Sequence, residues 1–188
     1  MKDAWLFDEF ATAVRRIEQC HLERLACVGC KGIDISRAGG VGVSNIEANG
    51  DGTYQRVDHG TPAVILPARE NDQIIDLVAF RTSEPGRYWI RTGLAGVLGY
   101  DFATMCVDLE RPLPIYSTPL SWLRAGGEGL CVLNSNAWEA RRLLRDAVEL
   151  TCETEDLARA CRDLTRQREP RDYPAINYIA QGDEDGTT

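Results

Sequence analysis

The sequence predicts an α+β fold: an N-terminal helix, an antiparallel β-meander, then a small C-terminal βαβαβ-like unit. Three observations carry this expectation. The stretch Ile74-Ile75-Asp76-Leu77-Val78-Ala79-Phe80 is apolar on both faces, which places it centrally in a sheet. Short strand patterns surround it at close intervals, separated by turn signals, as in a meander. The last third alternates strand and helix patterns, the mark of parallel strands joined by helical crossovers.

The first helix is expected from Asp3 to about Gln19. Leu6, Phe10, Ala13, Val14 and Ile17 recur at spacings of three and four, and Asp3, Asp8 and Glu9 precede Arg15 and Arg16, which suits the helix dipole. A continuation through Leu22 and Leu25 is open. The glycine-rich stretch from Cys27 to Gly42 reads as irregular. Val41 to Glu47 and Thr53 to Val57 are strands around the turn Asn49-Gly50-Asp51-Gly52, whose residues tolerate positive φ. Ala63 to Pro67 is a third strand, with Pro67 ending it or lying at an edge. The central strand and Tyr88 to Gly93 complete five, with Glu84-Pro85-Gly86 inside their connection.

After Gly93, Leu94 to Leu98 reads as one helical turn stopped at Gly99, and Asp101 to Val107 as a short helix. Arg111 to Pro114 is an extended connector, and Ile115-Tyr116 adds a short strand. Thr118 caps a helix with Pro119 in its first position, and Gly126-Gly127 ends it. Gly129 to Asn134 is a buried strand. Ser135 or Asn136 caps a helix running to about Asp146. Val148 to Cys152 alternates as a strand, against the competing reading of one merged helix from Ala137 to Gln167. Thr154 caps a helix with Leu157, Ala158, Cys161 and Leu164 inside, and Tyr173 to Ile179 is a last strand.

A chain of 188 residues with 44% hydrophobic content forms an ordinary core. One compact domain is expected over 1–180, with subdomains 1–110 and 111–180 as a finer division and an acidic tail at 181–188. The net charge of −8 disfavours generic nucleic-acid binding, which rests on Lys and Arg neutralising phosphates. Arginines cluster locally at Arg141, Arg142 and Arg145. Seven cysteines, acids in the first ten residues and no long apolar run suit a cytoplasmic chain with free thiols, no secretory segment and no membrane span.

Two constellations raise chemistry. Cys27-Val28-Gly29-Cys30 is a CxxC, and Cys20-His21 lies just before it. Zinc wants four ligands in a tetrahedron, with His59 or Cys106 as sources of the fourth; no second CxxC exists, so small buried thiols at a helix end are the competing reading. The other constellation is Asp76 on a central strand, with Glu70 and Asp72 nearby. In metal-dependent nucleases of the PD-(D/E)xK kind, such an Asp precedes a strand bearing Glu-x-Lys, which together hold Mg²⁺ and the scissile phosphate. Here the next strand offers Trp89-Ile90-Arg91, without the acid or the lysine. Asp76 is then expected to tie down a neighbouring loop or to pair with Arg81 or Arg91, with Arg91 the favoured partner, and Trp89 to anchor the core. Gly39-Gly40-Val41-Gly42 lacks the lysine and the following helix of a phosphate loop and reads as a hairpin or bulge. Asn134 to Asn136 lies at a strand-to-helix junction and reads as a cap. There is no Gly-x-Ser-x-Gly, and His21 and His59 are the only imidazoles.

Ile75-Asp76-Leu77-Val78-Ala79-Phe80, Pro85-Gly86-Arg87-Tyr88-Trp89-Ile90-Arg91-Thr92-Gly93 and Thr118-Pro119-Leu120-Ser121-Trp122-Leu123-Arg124 resemble a set of small uncharacterised bacterial proteins of prophages and mobile elements. The likeness covers under half of the chain and extends through Gly129 to Cys152. It implies a phage-linked context, often near replication genes, and no assigned activity. The expected function is a non-enzymatic accessory or binding protein acting on a protein partner, without cofactor. A metal-dependent nuclease-like enzyme centred on Asp76 and a zinc-stabilised regulatory module using Cys27 and Cys30 are the alternatives.

Overall fold

The computed structural model describes residues 4–166, which form two sheets packed through a shared apolar layer. The first sheet contains β1 (Gly42–Ala48), β2 (Tyr54–Arg56), β3 (Thr61–Glu70), β4 (Gln73–Arg81) and β5 (Glu84–Ile90). All its pairings are antiparallel, in the order β2-β1-β3-β4-β5. β3 returns beside β1 rather than beside β2, so the simple meander holds only from β3 onward. The apolar strand β4 is interior, as its two-faced pattern requires.

The sheet curls. Ile90 N–H donates to the Gly52 carbonyl at 3.0 Å, and Thr53 bridges Ile90, so the tip of the β1–β2 hairpin meets β5. Helix α1 (Ala4–Arg15) fills the curled face: Leu6, Phe10 and Ala13 are buried with Ile46, Ile65, Leu77 and Trp89. Val14, expected in the buried stripe, is 40% exposed.

Several local expectations are corrected. The first helix stops at Arg15, where Arg16 and Ile17 N–H groups reach back only three residues. A separate helix, α2 (Gln19–Cys27), then starts at Glu18. Its box is reciprocal: the Glu18 side chain accepts from the His21 N–H, and His21 Nδ1 accepts from the Glu18 N–H at 3.0 Å. The stretch expected to be irregular holds α3 (Gly32–Arg37), whose Asp34 carboxylate accepts the Lys31 N–H at 3.2 Å. Pro67 lies inside β3, opposite Leu77. Leu77 turns its carbonyl toward Arg91 N–H, away from β3, so Pro67 faces the side where β1 has ended. Glu84, Pro85 and Gly86 belong to β5, an edge strand, and the turn is made by Thr82 and Ser83.

The second sheet runs in the order β6-β8-β7-β9. β6 (Val97–Leu98) replaces the helical turn expected at Leu94 to Leu98 and pairs antiparallel with β8 (Leu130–Val132). β7 (Leu113–Tyr116) pairs in parallel with β8 and with β9 (Leu150–Cys152). The parallel βαβαβ unit is β7–α5–β8–α6–β9, with α5 (Pro119–Arg124) and α6 (Trp138–Asp146) as crossovers; it begins one strand earlier than the unit expected from Gly129 to Ile179, of which β8, α6 and β9 are the shared part. Thr118 Oγ1 accepts the Ser121 N–H at 3.1 Å, the expected cap. α6 starts later than expected, after Ala137, because Asn134 Oδ1 takes the Asn136 N–H into a turn. β9 separates α6 from α7 (Glu155–Arg166), which excludes a merged helix. α4 (Tyr100–Asp108) joins α6 and α7 around Leu113, Ile115 and Leu130. Leu66, Val78 and Phe80 of the first sheet share a core with Leu98 and Cys131 of the second and with Leu120, Trp122 and Leu123 of α5. The strand expected at Tyr173 to Ile179 and the tail at 181–188 lie outside the described residues.

Candidate functional site

Asp76 sits on β4 with its side chain wholly buried. Strand alternation gives it the face of Val78 and Phe80, toward the second sheet. There the chain leaves β5 and crosses from one sheet to the other. Asp76 Oδ1 accepts the N–H groups of Leu77 (2.8 Å) and Thr92 (2.9 Å). Oδ2 accepts Thr92 Oγ1–H (2.6 Å) and the N–H groups of Leu94 (2.8 Å) and Ala95 (3.1 Å). Two carboxylate oxygens offer about four lone-pair sites, and five donors already converge on them. The charge is thus spent on ordering the crossing segment. The next residue, Gly96, accepts the Leu133 and Asn134 N–H groups through its carbonyl, so the segment Asp76 orders also carries the end of β8.

The expected pairing of Asp76 with Arg91 is not made. Arg91 Nε donates to both carboxylate oxygens of Glu9, at 3.0 and 3.2 Å, and its guanidinium lies 5.1 Å from the Trp5 ring and 5.8 Å from the Tyr54 ring. Trp89 is the packing anchor expected, 4% exposed, with Arg81 and Arg87 each 5.2 Å from its ring. Glu70 closes the β3–β4 hairpin opposite Gln73, and Asp72 is exposed in its turn with φ 61°. Neither forms a ligand group with Asp76 among the described residues. That hairpin is held by a residue the sequence did not single out: the Asp101 carboxylate accepts the Asn71 N–H at 2.7 Å and the Asp72 N–H at 3.2 Å.

The cysteines separate in the same way. Among the described residues, the one group of three or more ligating side chains is Glu18, Cys20 and His21. Cys27 and Cys30 are not part of it, nor are His59 and Cys106. Glu18 and His21 are engaged as each other's helix cap, which explains their closeness without a metal. Cys27 is exposed, and Cys30 is buried, its thiol pushed up to about 11 by desolvation, against a lowering by Arg124. Burial pushes Cys131 and Cys161 up to about 12. A protonated, enclosed thiol is a poor ligand and a poor nucleophile.

A cleft of about 610 Å³ opens where the sheets meet, walled by Arg37, Arg69, Tyr100, Phe102, Trp122 and Gly127. Gly99, φ 82°, begins α4 at its floor, and a Cβ there would overlap the Gly129 carbonyl. Arg37 meets Glu128 at 3.7 Å, Arg69 Nη1 donates to the Asp72 carbonyl at 3.1 Å while its Nε is buried without a hydrogen-bond partner among the described residues, and Asp101 holds the turn. Among the described residues no thiol, imidazole, lysine, serine or threonine lines it. It presents aromatic rings beside charged side chains of both signs.

Set against protein-family models, curated proteins and solved structures, the chain matches none. The class is therefore defined by architecture alone: an α+β protein in which a curled antiparallel sheet joins a small mixed sheet. Among the described residues no helix is long and apolar enough to cross a membrane.

Proposed function

We propose that the chain acts by binding rather than catalysis, as an accessory protein of a phage or mobile element whose partner is another protein. The observation that carries this reading is the saturation of Asp76. The one acid placed like a nuclease's metal ligand has its lone pairs occupied by five donors from the fold itself. The cleft between the sheets supports the same reading. Tyr100, Phe102 and Trp122 beside charged side chains of both signs suit an inserted peptide segment, for which aromatic walls and polar groups supply the contacts.

The test has two arms. Purified chain with Mg²⁺ or Mn²⁺ and single- or double-stranded DNA is expected to leave the DNA intact. A partner protein from the same element, captured by the wild-type chain, is expected to be lost with Arg37→Glu, an exposed charge reversal at the cleft rim that leaves the fold intact. DNA cleavage abolished by Asp76→Asn in a folded protein overturns the reading, as does capture indifferent to the cleft.

A further inference from the structure

A second cleft, of about 400 Å³, lies between α2, the start of β3 and the β4–β5 turn. It differs from the first in its charges. Arg24, Arg81 and His21 line it, with the hydroxyl residues Thr61, Thr82 and Ser83, and among the described residues no Asp or Glu does. In a chain of net charge −8, an acid-free wall with two arginines stands apart. Neither arginine makes an ion pair among the described residues. Arg81 Nε is buried and has no hydrogen-bond partner, while its guanidinium is set against the Trp89 ring at 5.2 Å. The helix cap also fixes the tautomer of His21. Nδ1 accepts the Glu18 N–H, so a neutral ring carries its proton on Nε2 and presents a donor. The Glu18 carboxylate, the nearest acid in sequence, accepts the His21 N–H and lies within 4.8 Å of an imidazole nitrogen, but Glu18 is not among the residues that line the cleft. The rest of the lining is apolar: Leu25, Val43, Pro62, Ala63 and Val64.

We propose that this cleft binds a small oxyanion-bearing molecule with an apolar body. Arg24 and Arg81 take the anionic head, His21 Nε2–H and the turn hydroxyls complete its hydrogen bonds, and the apolar floor takes the body. The volume lies within the range of small-ligand sites, and a planar guanidinium matches phosphate or carboxylate oxygens in pairs. The proposal does not depend on the protein-binding reading, since the residues are different.

Calorimetric titration of the full chain with inorganic phosphate, phenyl phosphate and benzoate tests it. Phenyl phosphate or benzoate is expected to bind more tightly than inorganic phosphate, because the floor is apolar, and the better of the two identifies the head group. Arg24→Ala is expected to weaken binding by about tenfold or more, as loss of a charged hydrogen bond does. Arg81→Lys, which retains the charge and the packing stem, keeps the test valid should Arg81→Ala fail to fold; it is expected to weaken binding by losing the paired geometry. Absence of heat with all three probes at about ten millimolar, a regime weaker than useful affinity, overturns the proposal. So does binding that Arg24→Ala and Arg81→Lys both leave unchanged.

Discussion

Arg91 is held on all sides by residues remote in the chain. Its Nε meets Glu9 across 82 positions, its Nη1 donates to the Tyr54 carbonyl at 3.4 Å, and its plane lies near two aromatic rings. The ion pair is mostly buried, with 25% and 12% of the two side chains exposed, so solvent screens it little. Arg91→Ala is expected to cost about 2 kcal/mol, the scale of a hydrogen bond to a charged group. Urea unfolding checks this, and a change below about 0.5 kcal/mol, the level of an ordinary surface substitution, would contradict the arrangement. The buried thiols give a second residue-scale expectation. Cys30, Cys131 and Cys161 sit at about 11, 12 and 12, against 9.0 for a free thiol. Their folded values are raised, so the stability they carry is complete below pH 9 and falls as pH rises toward 12, where the unfolded chain has lost protons that the folded chain retains. Native alkylation at neutral pH is expected to reach Cys20 and Cys27 first, and alkaline pH to lower the melting temperature. That Asp76 would be buried was legible from its apolar neighbours. Its partners were not, because four of its five donors are backbone N–H groups, which leave no trace in residue identity.

At the scale of elements, periodicity and turn chemistry served where the element was long or its cap was a side chain. β4 and the β1–β2 turn followed from apolar runs and the Asn49 to Gly52 signal, and α5 followed from Thr118-Pro119. β6 is two residues long, too short for alternation to register, and it was read as a helical turn. The break between α1 and α2 escaped notice because the box at Glu18 uses His21 in place of the usual Ser or Thr with Glu. Gly99 shows what such junctions require. It starts α4 in the left-handed region, against the Gly129 carbonyl and the Trp122 indole. Gly99→Ala is expected to destabilise by about 2 kcal/mol or more through combined strain and overlap. Thermal unfolding is the check, and an unchanged melting temperature would mean that this junction is loose.

The described residues form two sheets with one crossing segment between them, fastened by a carboxylate. The strand-helix-strand run from Gly129 to Cys152 was legible from its alternation, but the opening of the parallel set by β7 was not, because Arg111 to Pro114 reads as an extended connector. The contact between the sheets was not, since it joins β3 and β4 to α5 and β8 through generic apolar side chains. The same limit applies to both clefts: Arg24 and Arg81, or Arg37 and Arg69, become neighbours only once the sheets are built. The central claim is that Asp76 is the fastening of this assembly and not a reagent. The urea-unfolding free energy of Asp76→Asn against the wild-type chain tests it most directly. A near-isosteric amide turns an acceptor into a donor amid five donors, so a loss of about 2–4 kcal/mol is expected. Stability that is unchanged or increased, the behaviour of residues kept for activity at the expense of the fold, would contradict it.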